Sequence, residues 1–241
     1  MKILQKLDII EHKEIANNIF SLKLRTKENV TIKPGQFAML NVDHFLNRPI
    51  SISDFDDQSI TFVYKVYGSG TKALSQFKDQ VEVLYPLGNG FNLDDIPKKV
   101  SIITGGIGIA PMINLSKELD LRNIEISYYL GFHSKEESYL IEELSKYGDT
   151  KVYSVDGSIG TKGFPIDHQD KMDYIISCGP SSLLNAITNK YDCKGQISTE
   201  EYMACGFGIC SGCAIKIKEK NKKVCVDGPV FNMEELIWSI N

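Results

Sequence analysis

The chain has 241 residues, 42% of them apolar and 24% charged. Such a composition excludes intrinsic disorder and provides for one to two domains at about 150 residues each. Lysine and arginine total 27 against 31 aspartates and glutamates, a net charge of −4, so the basic excess of a nucleic-acid binder is missing. No run of about 18 uncharged apolar residues suggests a membrane span. The opening Met1-Lys2-Ile3-Leu4-Gln5-Lys6-Leu7-Asp8 is broken by charge too often for a signal peptide. The chain is expected in the cytoplasm, with neither membrane nor nucleic acid as a partner.

The first stretch reads as short strands separated by turns: Ile19–Leu24, then Gln36–Val42 after a Pro34-Gly35 turn, Ile50–Ser53, Ile60–Val66 and Val81–Tyr85. Closely spaced short strands predict an antiparallel barrel or sandwich. A helix is predicted over Lys72–Phe77. The pattern changes near Pro97. Val100–Thr104 is an apolar strand that runs into a glycine turn, and Met112, Ile113, Leu115 and Leu119 recur at helical spacing. Ile124–Leu130, Val152–Val155 and Tyr174–Ser177 read as further strands, with helices predicted at Ser138–Lys146 and around Leu183, Leu184, Ala186 and Ile187. Strands alternating with helices predict a parallel α/β sheet. The expected organisation is α+β and multidomain: a β-barrel over 1–95, a Rossmann-like α/β domain over 96–194, and a small third domain over 195–241.

The third region carries Cys205, Cys210, Cys213 and Cys225, spaced C-x4-C-x2-C with eleven residues between the third and fourth cysteines. This is the plant-type [2Fe–2S] arrangement. Three thiolates must wrap one side of a two-iron core, and Gly206, Gly208 and Gly212 supply the backbone freedom such a loop needs. Structural zinc also accepts four thiolates, but its ribbons usually pair C-x2-C knuckles. In a reducing cytosol these cysteines read as ligands and not as disulfides.

Gly105-Gly106-Ile107-Gly108-Ile109-Ala110-Pro111 stands between a predicted strand and a predicted helix. Such a turn lets a pyrophosphate approach backbone N–H groups, although a plain tight turn reads the same way. Cys178-Gly179-Pro180 ends the strand Tyr174–Ser177, at the ligand edge of an open sheet, where the thiol could lie beside a nicotinamide or simply fill the core. Asp156, following another strand, could repel a 2′-phosphate or be an ordinary acidic turn residue, and the lack of an arginine cluster for that phosphate favours NAD weakly over NADP. In the barrel, Arg48-Pro49-Ile50-Ser51 joins a planar cation for a pyrophosphate to a hydroxyl for a flavin ring, and Tyr67-Gly68-Ser69-Gly70-Thr71 offers backbone N–H groups to the same phosphates. Cys193 reads as structural, and the histidines His12, His44, His133 and His168 as surface or incidental.

In this order the three pieces resemble the ferredoxin reductase superfamily, with Arg48–Ser51 like its flavin motif, Gly105–Pro111 its pyridine-nucleotide motif and Cys178–Pro180 its nicotinamide-side motif. Met203-Ala204-Cys205-Gly206 through Val224-Cys225-Val226-Asp227-Gly228-Pro229-Val230-Phe231 narrows the likeness to the electron-transfer subunits of NAD-dependent (type B) dihydroorotate dehydrogenases. The resemblance implies FAD in the barrel, held by Arg48, Pro49, Ile50, Ser51, Val63, Tyr64, Lys65, Gly70 and Thr71, with Lys65 standing where the family often has arginine. It implies NAD at Gly105, Gly106, Gly108, Cys178, Gly179 and Pro180, and a cluster on Cys205, Cys210, Cys213 and Cys225. It also implies an FMN-containing catalytic partner that oxidises dihydroorotate in pyrimidine biosynthesis, in a heterotetramer of two subunits of each kind. Electrons would run from FMN through the cluster and FAD to NAD+, with no substrate acid or base on this chain. A stand-alone NAD(P)H–acceptor reductase, a subunit of a ferredoxin- or sulfide-linked complex, and a redox-sensing module share much of this layout.

Overall fold

The computed structural model describes every residue except Met1, Glu28, Asn29, His44, Glu219 and residues 239–241; His44, read above as incidental, lies outside the described residues. Six strands close a barrel: β1 (Ile3–Ala16), β2 (Ile19–Arg25), β3 (Phe37–Leu40), β4 (Arg48–Phe55), β5 (Ser59–Lys65) and β6 (Gln80–Leu87), in the order β1-β2-β5-β4-β3-β6. Inward-facing Leu7, Leu22, Leu24, Leu40, Ile52, Ile60, Phe62 and Tyr85 fill it. Closure leaves no open sheet edge, which explains how short strands make a stable unit.

β1 is missing from the strands predicted above. It is 14 residues long and mostly solvent-facing, with Leu7 its one fully buried side chain. Its first half pairs with β6 and its second with β2, with register shifts at Ile9/Glu11 and Glu14/Ala16. Each slip of one residue flips the face of every later side chain, so the alternation that marks a strand in sequence is scrambled.

The second unit is a twisted sheet of β7 (Lys99–Gly105), β8 (Glu125–Phe132), β9 (Gly148–Ser154), β10 (Thr161–Lys162), β11 (Tyr174–Cys178) and β12 (Lys194–Ser198), ordered β10-β9-β8-β7-β11-β12 and parallel throughout. Helices α2 (Met112–Leu121) and α4 (Ser181–Lys190) cover it, burying Met112, Leu115 and Leu119 and Leu184 and Ile187 respectively. The strand order reverses between β7 and β11, the crevice where open α/β sheets bind ligands.

Two helices differ from expectation. The predicted helix over Lys72–Phe77 is α1 (Ser69–Leu74). It starts three residues earlier because Thr71 Oγ1 accepts hydrogen bonds from the N–H groups of Tyr67 and Gly68 and so caps the first turn. The predicted helix over Ser138–Lys146 shrinks to one turn, α3 (Ile141–Leu144). Leu140 before it takes φ +57°, a left-handed conformation no helix can pass through.

The tail forms a short hairpin, β13 (Ala214–Lys216) with β14 (Asn221–Lys223), then a single turn, α5 (Val224–Asp227). A last strand, β15 (Val230–Asn232), adds antiparallel to β12. Phe37, Met39 and Leu87 of the barrel pack with Cys213, Val224, Cys225 and Phe231 of the tail. The cysteine segment is thus seated on the barrel's outer face at β3.

Candidate redox site

The four tail cysteines come together from two directions. Cys205 and Cys210 lie in the loop after β12, Cys213 immediately precedes β13, and Cys225 is the second residue of α5. Their side chains stand as two pairs, Cys205 against Cys210 and Cys213 against Cys225. A single zinc needs four donors around one point, whereas a two-iron centre takes two thiolates on each iron. The donor set therefore fits a [2Fe–2S] cluster.

The backbone is arranged for sulfur. Gly206 and Gly208 have φ of +76° and +96°, values that glycine adopts freely. A side chain on Gly206 would meet Met39 of β3, and one on Gly208 would meet Val226, so the loop is pressed against the barrel and against α5. The N–H of Gly212 donates to Cys210 Sγ at 3.4 Å and that of Cys225 to Cys213 Sγ at 3.5 Å. Burial opposes ionisation of Cys205, but hydrogen bonds from the N–H groups of Cys210, Phe207 and Ile209 outweigh it and bring the thiol down to about 6. Burial first, and then Cys213 beside it, push Cys225 up to about 12. Thiols crowded this closely repel one another as thiolates, and bound iron is the charge that relieves them. Cys210 is exposed, as are Phe207, Ile209 and Val226, so the cysteine loop presents an apolar rim to solvent.

In the barrel, Arg48–Ser51 pair only with β3, and Val63–Lys65 only with β2; the β4–β5 ladder begins at Ile52 and Phe62. A seam therefore opens between the two segments named for the flavin, with the residues of β4 half-buried along it. Arg48 lies across Gly70, where a Cβ would run into its guanidinium, and donates to the Leu46 carbonyl. The cation is thus held over the start of α1. Three named residues are already engaged. The Tyr64 ring is inside the barrel with its hydroxyl 2.8 Å from His12 Nε2, so only its backbone faces the seam. The Thr71 hydroxyl caps α1. Lys65 pairs with Glu137 at 2.8 Å, bridging the barrel to the segment after β8.

At the switch point the two glycine turns touch. A Cβ on Gly108 would run into the Cys178 carbonyl and the Gly179 nitrogen. Thr104 Oγ1 donates to the Cys178 carbonyl at 2.6 Å, tying the end of β7 to the end of β11. Gly106 has φ +54° and open space around its Cβ position. A phosphate could therefore approach its backbone. Cys178 is buried, and burial, then the nearby Glu200 carboxylate, push its thiol up, so it stands there as a neutral thiol. Pro180 is exposed at the turn. Asp156, at the end of β9, accepts hydrogen bonds from the Ser158 N–H and hydroxyl.

Sequence reasoning passed over several residues here. The Tyr139 hydroxyl donates to the carbonyls of Gly106 at 3.0 Å and Ile107 at 3.3 Å, and Ser53 donates to Ala110 at 2.9 Å. Lone hydroxyls carry no sequence signal of such contacts. His168, expected to be incidental, is instead buried and stacked on Tyr129 with ring centroids 4.2 Å apart. His12 bridges the Phe77 carbonyl and Tyr64.

Residues 200–237 match the family described as the iron-sulfur cluster binding domain of dihydroorotate dehydrogenase B. Over the whole chain there are relatives designated dihydroorotate dehydrogenase B (NAD(+)), electron transfer subunit. One from Clostridium acetobutylicum is 39% identical and covers 95% of this chain and 95% of its own. One from Listeria welshimeri is 38% identical, covering 96% and 98%. Among solved structures, a chain from an NADH-dependent reduced ferredoxin-NADP oxidoreductase superposes with a TM-score of 0.89 at 26% identity, covering 96% of this chain and 90% of that one.

Proposed function

The chain belongs to the family of dihydroorotate dehydrogenase B electron-transfer subunits, and from that premise we propose how its residues carry the current. The subunit passes electrons from a dihydroorotate-oxidising partner to NAD+ by way of a [2Fe–2S] cluster and FAD. The partner is an FMN-containing catalytic subunit, joined as two of each kind, and the assembly works in the cytoplasm in pyrimidine biosynthesis. No helix among the described residues is long and apolar enough to cross a membrane.

Cys205, Cys210, Cys213 and Cys225 hold the cluster, and the exposed Phe207, Ile209 and Val226 beside them give the partner an apolar face on which to dock. Arg48, Pro49, Ile50 and Ser51, the backbone of Val63, Tyr64 and Lys65, and Gly70 and Thr71 hold FAD along the seam. Gly105, Gly106 and Gly108 receive the NAD pyrophosphate, while Cys178, Gly179 and Pro180 face the nicotinamide. FAD supplies the one chemistry that joins single-electron and two-electron carriers. The residues bind, orient and tune; none acts as an acid or base on dihydroorotate. The single observation that carries this reading is the contiguity of the three sites: the cysteine loop is seated on β3, β3 pairs with the flavin strand β4, and β4 reaches the nucleotide turn through Ser53.

Two expected results follow from this arrangement. The purified subunit, loaded with FAD and cluster, reduces dyes with NADH but does not oxidise dihydroorotate until the FMN subunit is added; anaerobic orotate formation by the lone subunit would refute the division of labour. Arg48→Ala weakens FAD binding by about 1.5–3 kcal/mol, the worth of a hydrogen bond to a charged group, which is read as flavin lost on gel filtration while the iron content stays intact. Arg48→Lys recovers only part of this because it lacks the planar fork.

A further inference from the structure

Between Ile52 and Asp54 the β4–β5 ladder slips by one residue. Slips of this kind re-aim a side chain, and the one involved here is Ser53. Its side chain is buried, and its Oγ donates to the Ala110 carbonyl at 2.9 Å, crossing from the barrel to the nucleotide-binding turn. Ser53 is two residues along the same strand from Ser51, and Ala110 directly follows the turn Gly106–Ile109. One strand and one hydrogen bond thus connect the flavin seam to the pyrophosphate turn.

Packing and a main-chain hydrogen bond from the Asn17 N–H to the Glu136 carbonyl at 2.9 Å also join the two units. Ile19 and Val63 of the barrel join the core of the α/β unit. Beside them, however, a cavity of about 520 Å³ separates the barrel from α2 and α3, lined among others by Ser53, Val63, Ile113, Lys117 and Tyr139. Across this hollow the ion pair Lys117–Asp54 at 2.6 Å bridges the units, and a second pair, Lys65–Glu137 at 2.8 Å, also joins them, both partly exposed. Exposed ion pairs between long side chains are soft restraints and are weakened by salt. The Ser53–Ala110 bond is buried and made by a side chain with a single torsion. At the start of the same turn, the buried Tyr139 holds the carbonyls of Gly106 and Ile107.

We propose that Ser53 is a positioning residue that sets the flavin–nicotinamide distance across the junction between the barrel and the α/β unit. This rests on the function proposed above. The step it serves is FADH2 + NAD+ → FAD + NADH + H+, in which a hydride, two electrons with one proton, passes to the nicotinamide and a second proton is released to solvent. Reacting atoms must approach to about 3–3.5 Å, and a misplacement of about 1 Å can lower the rate about 100-fold. Ser53 touches neither reactant and acts only through Ala110 and the turn.

The test uses holoprotein carrying FAD and cluster. In Ser53→Ala, FAD and iron content and the NAD+ dissociation constant stay within about threefold of wild type. The limiting rate of flavin reduction by NADH falls at least tenfold, in line with a loss of positioning, and the long-wavelength charge-transfer absorbance of the reduced flavin with bound nicotinamide is at least halved. Ser53→Thr, which keeps the hydroxyl, restores both. Wild-type rates and absorbance in a competent Ser53→Ala holoprotein would overturn the role of Ser53 alone, and so would loss of FAD or failure to fold in Ser53→Ala with no recovery in Ser53→Thr. Wild-type holoprotein that NADH does not reduce would overturn the functional reading, and this inference with it.

Discussion

Cys225→Ser removes the cluster and leaves the flavin half of the protein working. Cys225 is buried with Cys213 among Phe37, Met39, Leu87, Val224 and Phe231, where the cysteine segment is seated on the barrel. Serine is nearly the same size, so the packing survives, but a hydroxyl is a poor ligand for the iron that thiolates select. Two irons each require two thiolates, and the Cys213–Cys225 pair would be left with one. Electron flow from the FMN subunit to NAD+ should fall by more than about 100-fold, beyond the 10–100-fold typical of losing an outer-shell partner. The FAD spectrum and NADH-driven dye reduction should remain, because the seam between β4 and β5 and the switch point contain none of these cysteines. Iron analysis and the loss of the reduced-cluster EPR signal, set beside an unchanged flavin absorbance, check the result. If Cys225→Ser kept the EPR signal, Cys225 would not be a ligand. Loss of NADH-driven dye reduction along with the signal would place the cluster between FAD and NAD, contrary to the proposed order.

Gly108→Val has the opposite signature: cluster and FAD stay while the use of NAD collapses. The Cβ position on Gly108 coincides with the Cys178 carbonyl and the Gly179 nitrogen, so any side chain drives apart the ends of β7 and β11 at the point where the strand order reverses. Overpacking of this kind costs about 1–3 kcal/mol in stability. The larger effect is on geometry, since Cys178 and the pyrophosphate turn would lose their register, and a rate loss of about 100-fold is expected from a displacement near 1 Å. NADH reduction of the flavin would show it, while reduction of the cluster by dihydroorotate through the FMN subunit would be spared. Gly106→Ala is the natural control. Gly106 has room for a methyl group but adopts φ +54°, so its cost is the roughly 1–2 kcal/mol of left-handed backbone for a non-glycine residue. Equal damage from both substitutions would mean that backbone strain, and not the contact between the two turns, controls NAD binding.

The sites differ in how far they could be read from the residues alone. The cluster was the most legible, because its proposed ligands are cysteines at a spacing that few other arrangements use, and two of the three glycines between them, Gly206 and Gly208, adopt the positive φ values such a loop needs, while Gly212 does not. The nucleotide turn was legible only as a turn. Its partner at Cys178 lies some seventy residues away, and their contact depends on β7 and β11 being neighbours in the sheet. The flavin seam could not be read at all as a seam: Arg48–Ser51 and Val63–Lys65 look like ordinary strand residues, and what sets them apart is that the ladder between them starts only at Ile52 and Phe62. Tyr64 shows the reverse, a residue assigned to the flavin whose ring turns inward to His12.

The sequence by itself determined the chemistry on offer: four thiols at cluster spacing, a cation and hydroxyls ahead of one strand, glycines at two strand ends, and strand and helix periodicities for two kinds of sheet. These are local properties, fixed by residue type and by neighbours within a few positions. Tertiary structure alone decided which of these groups meet, which hydroxyls are consumed in capping and bridging, and how far apart the flavin seam and nucleotide turn stand. The reason is physical. Strand order, the register slip at Ser53 and the seating of the tail on β3 arise from burying side chains contributed by distant segments, and that burial is settled by the whole chain at once.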